Sequence, residues 1–289
     1  MKQNPFWTKS ITRLHKLHQN NFANYNWLFL PGGPGLGSES LKGLTELLSL
    51  PGAVWHVDLP GDGSNTTADD EQSFANWSKG LIEASRAMDN VILVTHSSGG
   101  MFALATPELE KNLSGLVLMD SAPNASWQIH FMKYIQNHPL PEVERLQKLY
   151  ERKPSNDLLK KLTIASAPYF SIPENLNKIA ELLSSLPFNY KTHQWTAHNF
   201  HRTYETKWIP QQIPTLIFSG DKDQLTPLTL FSQAIQFQRQ NICIREIQNA
   251  SHFPWIDNPE QVKQVFTEYC QTMALEYGTK LPDIIINNY

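Results

Sequence analysis

The chain has 289 residues, 40% of them apolar and 18% charged, with a formal net charge of −3. This is room for one large α/β core with an insertion, and the composition excludes a disordered chain. There is no basic block to attract nucleic acid and no apolar run near the roughly 20 residues of a spanning helix, so neither nucleic acid nor membrane is an expected partner.

Near the N-terminus there is no continuous apolar stretch and no small-residue cleavage site, so no secretory signal is expected and the expected location is the cytoplasm. Cys243 and Cys270 have neither metal nor redox spacing and are expected to be reduced and buried. Over residues 10–21, Ile11, Leu14 and Leu17 recur at helical spacing, which predicts an amphipathic helix. His15 and His18 lie one turn apart on its Lys-bearing face and read as solvated.

Residues 27–30 (WLFL) predict a buried strand running into PGGPGLGSES. That loop lacks the Gly-Lys-Ser/Thr ending of a phosphate loop and the glycine offsets of a dinucleotide fingerprint. It does contain Gly33, where a missing side chain lets a backbone N–H approach a ligand, and Pro34, which stiffens the turn. A helix over 41–50 follows. A strand over 54–57 then leads into DLPGDGSN. Asp58 and Asp62 read as turn residues, because no third carboxylate follows at calcium-loop spacing.

A helix over 74–88 precedes VILVTHSSGG, residues 91–100. An apolar run, a Ser/Gly turn and a helix make the layout of a nucleophile elbow, with Ser97 at its apex. The usual pattern is G-x-S-x-G. Here Thr95 stands at the first glycine position and Gly99 at the second. Ser98 is the competing nucleophile, but it would put His96 at the crowded strand–helix crossing.

A strand over 113–120 ends at Asp120. The strand–loop–helix rhythm to this point, with near-continuous apolar strands, predicts a parallel sheet covered on both faces. The rhythm breaks at Asn124. Helical segments over 127–137, 141–152, 156–166 and 173–185, and an aromatic stretch with Trp195, Phe200 and Tyr204, predict a helical cap over 124–207 inserted in a core of 1–123 and 208–289. The rhythm resumes with a strand over 214–219, GDKDQLTP, a helix over 228–239, a strand over 242–247, QNASHFPW and a helix from 259 to about 275. The tail from 276 to 289 has no assignment.

In an open parallel sheet, ligands bind beyond the C-terminal strand ends. Here those ends carry Gly33, Asp58, Ser97, Asp120, Asp223 and His252. A serine needs a base to take its proton as it attacks, and His252 has a suitable pKa range. Asp223 can hold the imidazole in one tautomer, with Asp120 as the alternative acid. Backbone N–H groups of Gly33 and Ser98 form the candidate oxyanion hole. His193, His198 and His201 lack a carboxylate partner or a metal-site spacing and read as cap packing or pocket lining. Neither a metal nor another cofactor is expected. Trp127, Phe131, Tyr134, Trp195 and Phe200 are expected to form the cap's own core, some of them lining an acyl pocket.

The motifs PGGPG, DLPGDGSN, HSSGG, SGDKD and SHFPW together resemble the α/β-hydrolase superfamily over nearly the whole chain. The resemblance implies the triad order Ser, Asp, His and selects Asp223 over Asp221. The first loop is similar to the HGGPG loop of proline iminopeptidases, with Pro31 in place of His, and the elbow is more like that of esterases. Ser97 departs from the Asp nucleophile of epoxide hydrolases and haloalkane dehalogenases. Where relatives place two antiparallel N-terminal strands, the helical reading of 10–21 implies a reduced sheet edge. The expected function is a serine hydrolase acting on a small or medium carboxylic ester through an acyl-enzyme, with an acyl substrate and water as partners. One alternative is a proline-iminopeptidase-like aminopeptidase, with Glu174, Glu181 and Glu205 as candidate amine holders. The other is a non-catalytic ligand binder.

Overall fold

The computed structural model describes residues 5–20, 23–66 and 73–277. Within it are strands β1 (Phe6–Trp7), β2 (Arg13–Gln19), β3 (Asn26–Leu30), β4 (Ala53–Asp58), β5 (Val91–His96), β6 (Leu113–Met119), β7 (Thr215–Gly220) and β8 (Ile242–Ile247). They form one sheet in the order β1-β2-β4-β3-β5-β6-β7-β8. The strands from β3 to β8 are mutually parallel, while β2 runs antiparallel to both β1 and β4.

The sheet is buried on both faces because its apolar runs have no polar alternation. Trp27 and Phe29 pack on one side with Ile92, Val94, Val117 and Met119. Leu28 and Leu30 pack on the other with Leu93, Leu116 and Leu118. The first face is covered by α1 (Lys42–Leu47) through Leu44. The second is covered by α2 (Trp77–Ser85) through Trp77 and Leu81, and by α3 (Ser98–Leu104) through Met101 and Phe102.

Between β6 and β7 the chain is helical: α4 (Ser126–Asn137), α5 (Pro141–Arg152), α6 (Asn156–Ala165), α7 (Leu176–Ser185), α8 (Tyr190–Thr196) and a π-turn (Ala197–His201). Local chemistry sets several starts. Pro141 opens α5, Ser155 Oγ accepts from the Leu158 N–H at α6, and Asn189 accepts from the Lys191 N–H at α8. Among the described residues the block's β-pairing is one bridge, Asn124 to Glu205. After β7 come α9 (Thr229–Ser232), α10 (Pro254–Asp257) and α11 (Pro259–Tyr277), the last packed on the first face through Val262, Val265 and Phe266.

Two expectations are corrected. Residues 13–19 are a strand, not part of a helix, and the sheet edge is therefore not reduced. Leu14 is fully buried opposite Val57, whereas Leu17 is exposed, because the register shifts between Lys16 and His18. A bulge breaks the period of two, so the leucines fall three apart and imitate a helix. The turn before β2 is held by Glu83, which accepts from the Ser10 N–H and hydroxyl at 2.7 and 3.0 Å.

The helix expected over 228–239 is cut to α9 and a 3₁₀ turn at Ile235–Phe237. Six residues of α-helix rotate a side chain by about 240°. The break lets Phe231 and Phe237 meet edge-on at 4.9 Å, both buried. Residues 278–289 of the tail lie outside the described residues.

Candidate active site

β5 ends at His96, and Ser97 adopts φ 52° and ψ −124° before α3 starts at Ser98. A non-glycine residue there stores strain, held by close packing on both sides. A Cβ on Gly32 would lie 2.4 Å from Ser97 Cβ, and one on Gly99 would lie 2.6 Å from the Pro31 carbonyl oxygen. Thr95 fits in place of glycine because its hydroxyl donates to the Val117 carbonyl at 2.9 Å. Gly100 leaves it room, since a Cβ there would stand 3.1 Å from Thr95 Oγ1.

Ser97 Oγ lies 3.1 Å from His252 Nε2, and His252 Nδ1 lies 3.0 Å from Asp223 Oδ2. His252 stands in the loop after β8 and Asp223 in the loop after β7, so three strand ends supply the three groups. All three side chains are buried. Burial works to raise the Asp223 pKa, but His252, the Thr226 hydroxyl and the Leu225 N–H stabilise the anion and hold it down at about 2. Thr226 Oγ1 donates to Oδ2 at 2.8 Å and Leu225 N–H to Oδ1 at 2.9 Å.

Asp120 lies in the same cluster but makes different contacts. Its Oδ1 accepts from Ser219 Oγ and the Gly220 N–H, both at 3.0 Å. Burial, and then the charge of Asp223, push its pKa well above the ordinary value for an aspartate. Ligating atoms of Asp120, Asp223 and His252 lie within 4.8 Å of one another. Asp223 and His252 already bond each other, and Asp120 Oδ1 is taken by Ser219 and Gly220 while its Oδ2 is buried without a hydrogen-bond partner; we assign no ion to them.

His96 is buried with its pKa lowered to about 3, first by burial and then by His252. The neutral ring's Nε2 hydrogen-bonds the His252 carbonyl at 2.9 Å, and the two rings stand 4.8 Å apart. His96 thus buttresses the loop that carries the imidazole.

Ser98 opens α3, where the N–H has no carbonyl one turn back. Its hydroxyl hydrogen-bonds His201 Nε2 at 3.0 Å. His201 closes the π-turn. Its carbonyl accepts from the Gln128 amide, and Trp127 meets its ring edge-on at 5.3 Å. Gly33, at φ 55°, lies beside Ser97 in the wall of one cavity.

That cavity holds about 160 Å³ and is walled by Leu36, Leu159, Leu183, Phe170 and Phe253, with His193 and Thr163 as polar members. The aromatics expected there pack elsewhere. Phe200 sits on Trp77 and Phe102, Trp195 on Phe74, and Phe131 on Tyr169. Phe170, which faces His252 at 6.1 Å, had no signal beyond its hydrophobicity. His198 is exposed and bonds the Gln194 carbonyl. Glu174, Glu181 and Glu205 are exposed and do not line the cavity.

Asp58 and Asp62 are buried behind this loop. Asp58 pairs with Arg13 at 2.7 Å and accepts from the Ser38 N–H. Asp62 accepts from the Gly35 N–H at 2.7 Å.

The sequence model of the alpha/beta hydrolase family matches residues 27–265, and the chain belongs to that family. Among solved structures it is similar to an alpha/beta fold family hydrolase from Bacillus anthracis str. Sterne, with TM-score 0.71 and 16% identity over 92% of this chain and 98% of that one. It is similar to a proline iminopeptidase-related protein from Thermus thermophilus, with TM-score 0.71 and 18% identity over 94% and 99%. An esterase from Exiguobacterium antarcticum aligns with TM-score 0.66 and 19% identity over 92% and 98%. No curated protein matches the chain. At these identities the likeness carries the fold.

Proposed function

We propose that the chain is a serine hydrolase that cleaves a small carboxylic ester through an acyl-enzyme, with residues 124–207 as its cap. The observation that carries this reading is the hydrogen-bonded line from Ser97 Oγ through His252 to Asp223, at 3.1 and 3.0 Å, beside an apolar cavity. With Nδ1–H donating to Asp223, His252 Nε2 is free to accept the Ser97 proton. Ser97 Oγ then attacks the ester carbonyl carbon. The carbonyl oxygen takes the negative charge and accepts from the Gly33 and Ser98 N–H groups. As the carbonyl re-forms, the bond to the alcohol oxygen breaks and His252 gives it the proton. Water repeats the cycle on the acyl-enzyme and releases the acid.

The aminopeptidase reading requires carboxylates to hold a free amine, and no acidic side chain lines the cavity among the described residues. A pure binder has no use for a serine held in a strained conformation against an imidazole. A fluorophosphonate label, with Ser97→Ala as control, tests turnover chemistry. Labelling of the wild type alone is expected, together with hydrolysis of p-nitrophenyl esters above proline amides. An unlabelled wild type would sink the proposal.

A further inference from the structure

We propose that His193 is a specificity-determining residue, a hydrogen-bond donor in the acyl cavity that selects acyl groups carrying an uncharged acceptor oxygen, such as a ketone. The inference rests on the serine-hydrolase reading of the cavity.

Most of the cavity's polar lining is already engaged. Ser40 Oγ donates to the Gly37 carbonyl and Thr163 Oγ1 to the Leu159 carbonyl, both at 2.8 Å. His96 Nε2 is engaged by the His252 carbonyl. Ser97 and His252 are engaged with each other. Among the described lining side chains, this leaves two ring nitrogens uncommitted: His96 Nδ1, which is an acceptor because the neutral ring's Nε2 donates to the His252 carbonyl, and His193 Nε2.

The other His193 nitrogen bears on the tautomer. His193 Nδ1 lies 3.1 Å from the buried Tyr150 hydroxyl, whose next acceptor, the Tyr190 carbonyl, is 3.5 Å away. A hydroxyl proton goes to the nearer acceptor, since 3.5 Å is beyond a normal O–H···O bond. In the proposed tautomer the Tyr150 hydroxyl donates over this shorter distance, so that Nδ1 accepts and Nε2 carries the proton as a donor. Burial lowers the imidazole's pKa to about 4, so it is uncharged at neutral pH. No Lys, Arg, Asp or Glu joins it in the wall. A carboxylate or ammonium on the acyl chain would be buried without a counter-charge, which is costly. A ketone or second ester oxygen meets the donor without that penalty.

The test compares kcat/KM for isosteric p-nitrophenyl esters, levulinate against isocaproate and acetoacetate against isovalerate. The keto-to-alkyl ratio cancels the amount of folded enzyme, and comparing ratios between variants cancels intrinsic ester reactivity. At the better-fitting length, His193→Phe is expected to lower the ratio about 10-fold, the weight of one hydrogen bond. His193→Gln, which keeps an N–H donor, should restore part of it, and Tyr150→Phe should lower it less. Ratios unchanged in His193→Phe for both pairs would overturn the proposal.

Binding of ethyl levulinate and ethyl isocaproate to Ser97→Ala, with and without His193→Phe, separates the two readings. A His193-dependent preference in a chain whose wild type shows no turnover would keep the subsite and remove the hydrolase. No preference in a chain whose wild type cleaves esters would do the reverse.

Discussion

Two buried carboxyls share the end of the sheet, and their surroundings shift them in opposite directions. Asp223 is held low by His252, Thr226 and Leu225, while Asp120 is pushed up by burial and by Asp223 itself. Asp223→Asn is therefore expected to cut kcat/KM by about 10⁴, because the imidazole loses its tautomer and its counter-charge. Asp120→Asn keeps the side chain's shape and its acceptor oxygen for Ser219 and Gly220, with no hydrogen bond to His252 to lose, and should stay within about 10-fold. Steady-state kinetics on one ester separates them, and equal losses would move the relay to Asp120. Thr95→Gly should not speed fluorophosphonate labelling. It removes a buried hydrogen bond and leaves a hole beside Gly100, destabilising the fold by about 2 kcal/mol in a urea titration. The meeting of Ser97, Asp223 and His252 is legible in the sequence because each lies within five residues of the C-terminal end of a parallel strand, which limits where its side chain can go. His193 and Phe170 are not legible as a donor and a wall, because their positions depend on how helices pack over the sheet.

At the scale of elements, the parallel strands and the helices between β6 and β7 are readable from apolar runs and from caps such as Ser155 and Asn189. The edge strand β2 is not, because its bulge moves Leu17 off the period of two. What makes it a strand is non-local: β4 presents an edge to be paired, and Arg13 on β2 reaches Asp58 at the end of β4 at 2.7 Å. Asp58 is 1% exposed, so Arg13→Met leaves a buried charge without its partner. Breaking such a pair costs about 3 kcal/mol or more. The midpoint of denaturant unfolding should fall accordingly, and an unchanged midpoint would show that β2 is held by backbone pairing alone. The broken helix after β7 has a similar cause. Residues 228–239 are compatible with a helix locally, but the burial of both Phe231 and Phe237 decides the geometry.

Over the whole molecule, Asp62 links stability to pH. Burial, then the charges of Asp58 and Glu39, raise its pKa to about 7, against the opposing pull of the Gly35 and Gly37 N–H groups. The folded chain thus keeps a proton that the unfolded chain loses above about pH 4. The contribution is full below that pH and is lost as pH rises through about 7. It amounts to at most ~4 kcal/mol at about 1.4 kcal/mol per unit. The histidines His56, His96, His193 and His201, whose pKa values are lowered by burial, pull stability the other way below about pH 6.5 but do so in wild type and variant alike. The melting temperature of wild type relative to Asp62→Asn should therefore fall as pH rises from about 5 to 8, and a difference that does not change with pH would remove Asp62 as the cause. The Ser98–His201 bond has a consequence on the same scale. It joins the residue after Ser97 to the π-turn of the helical block, and the His201 pKa is lowered to about 3, mainly by burial. A swing of that block away from the sheet must break this bond first. Any route to the cavity that lifted this block would therefore leave the Ser98 amide unsettled until the bond re-formed, so an opening of that kind would add a re-latching step to each cycle.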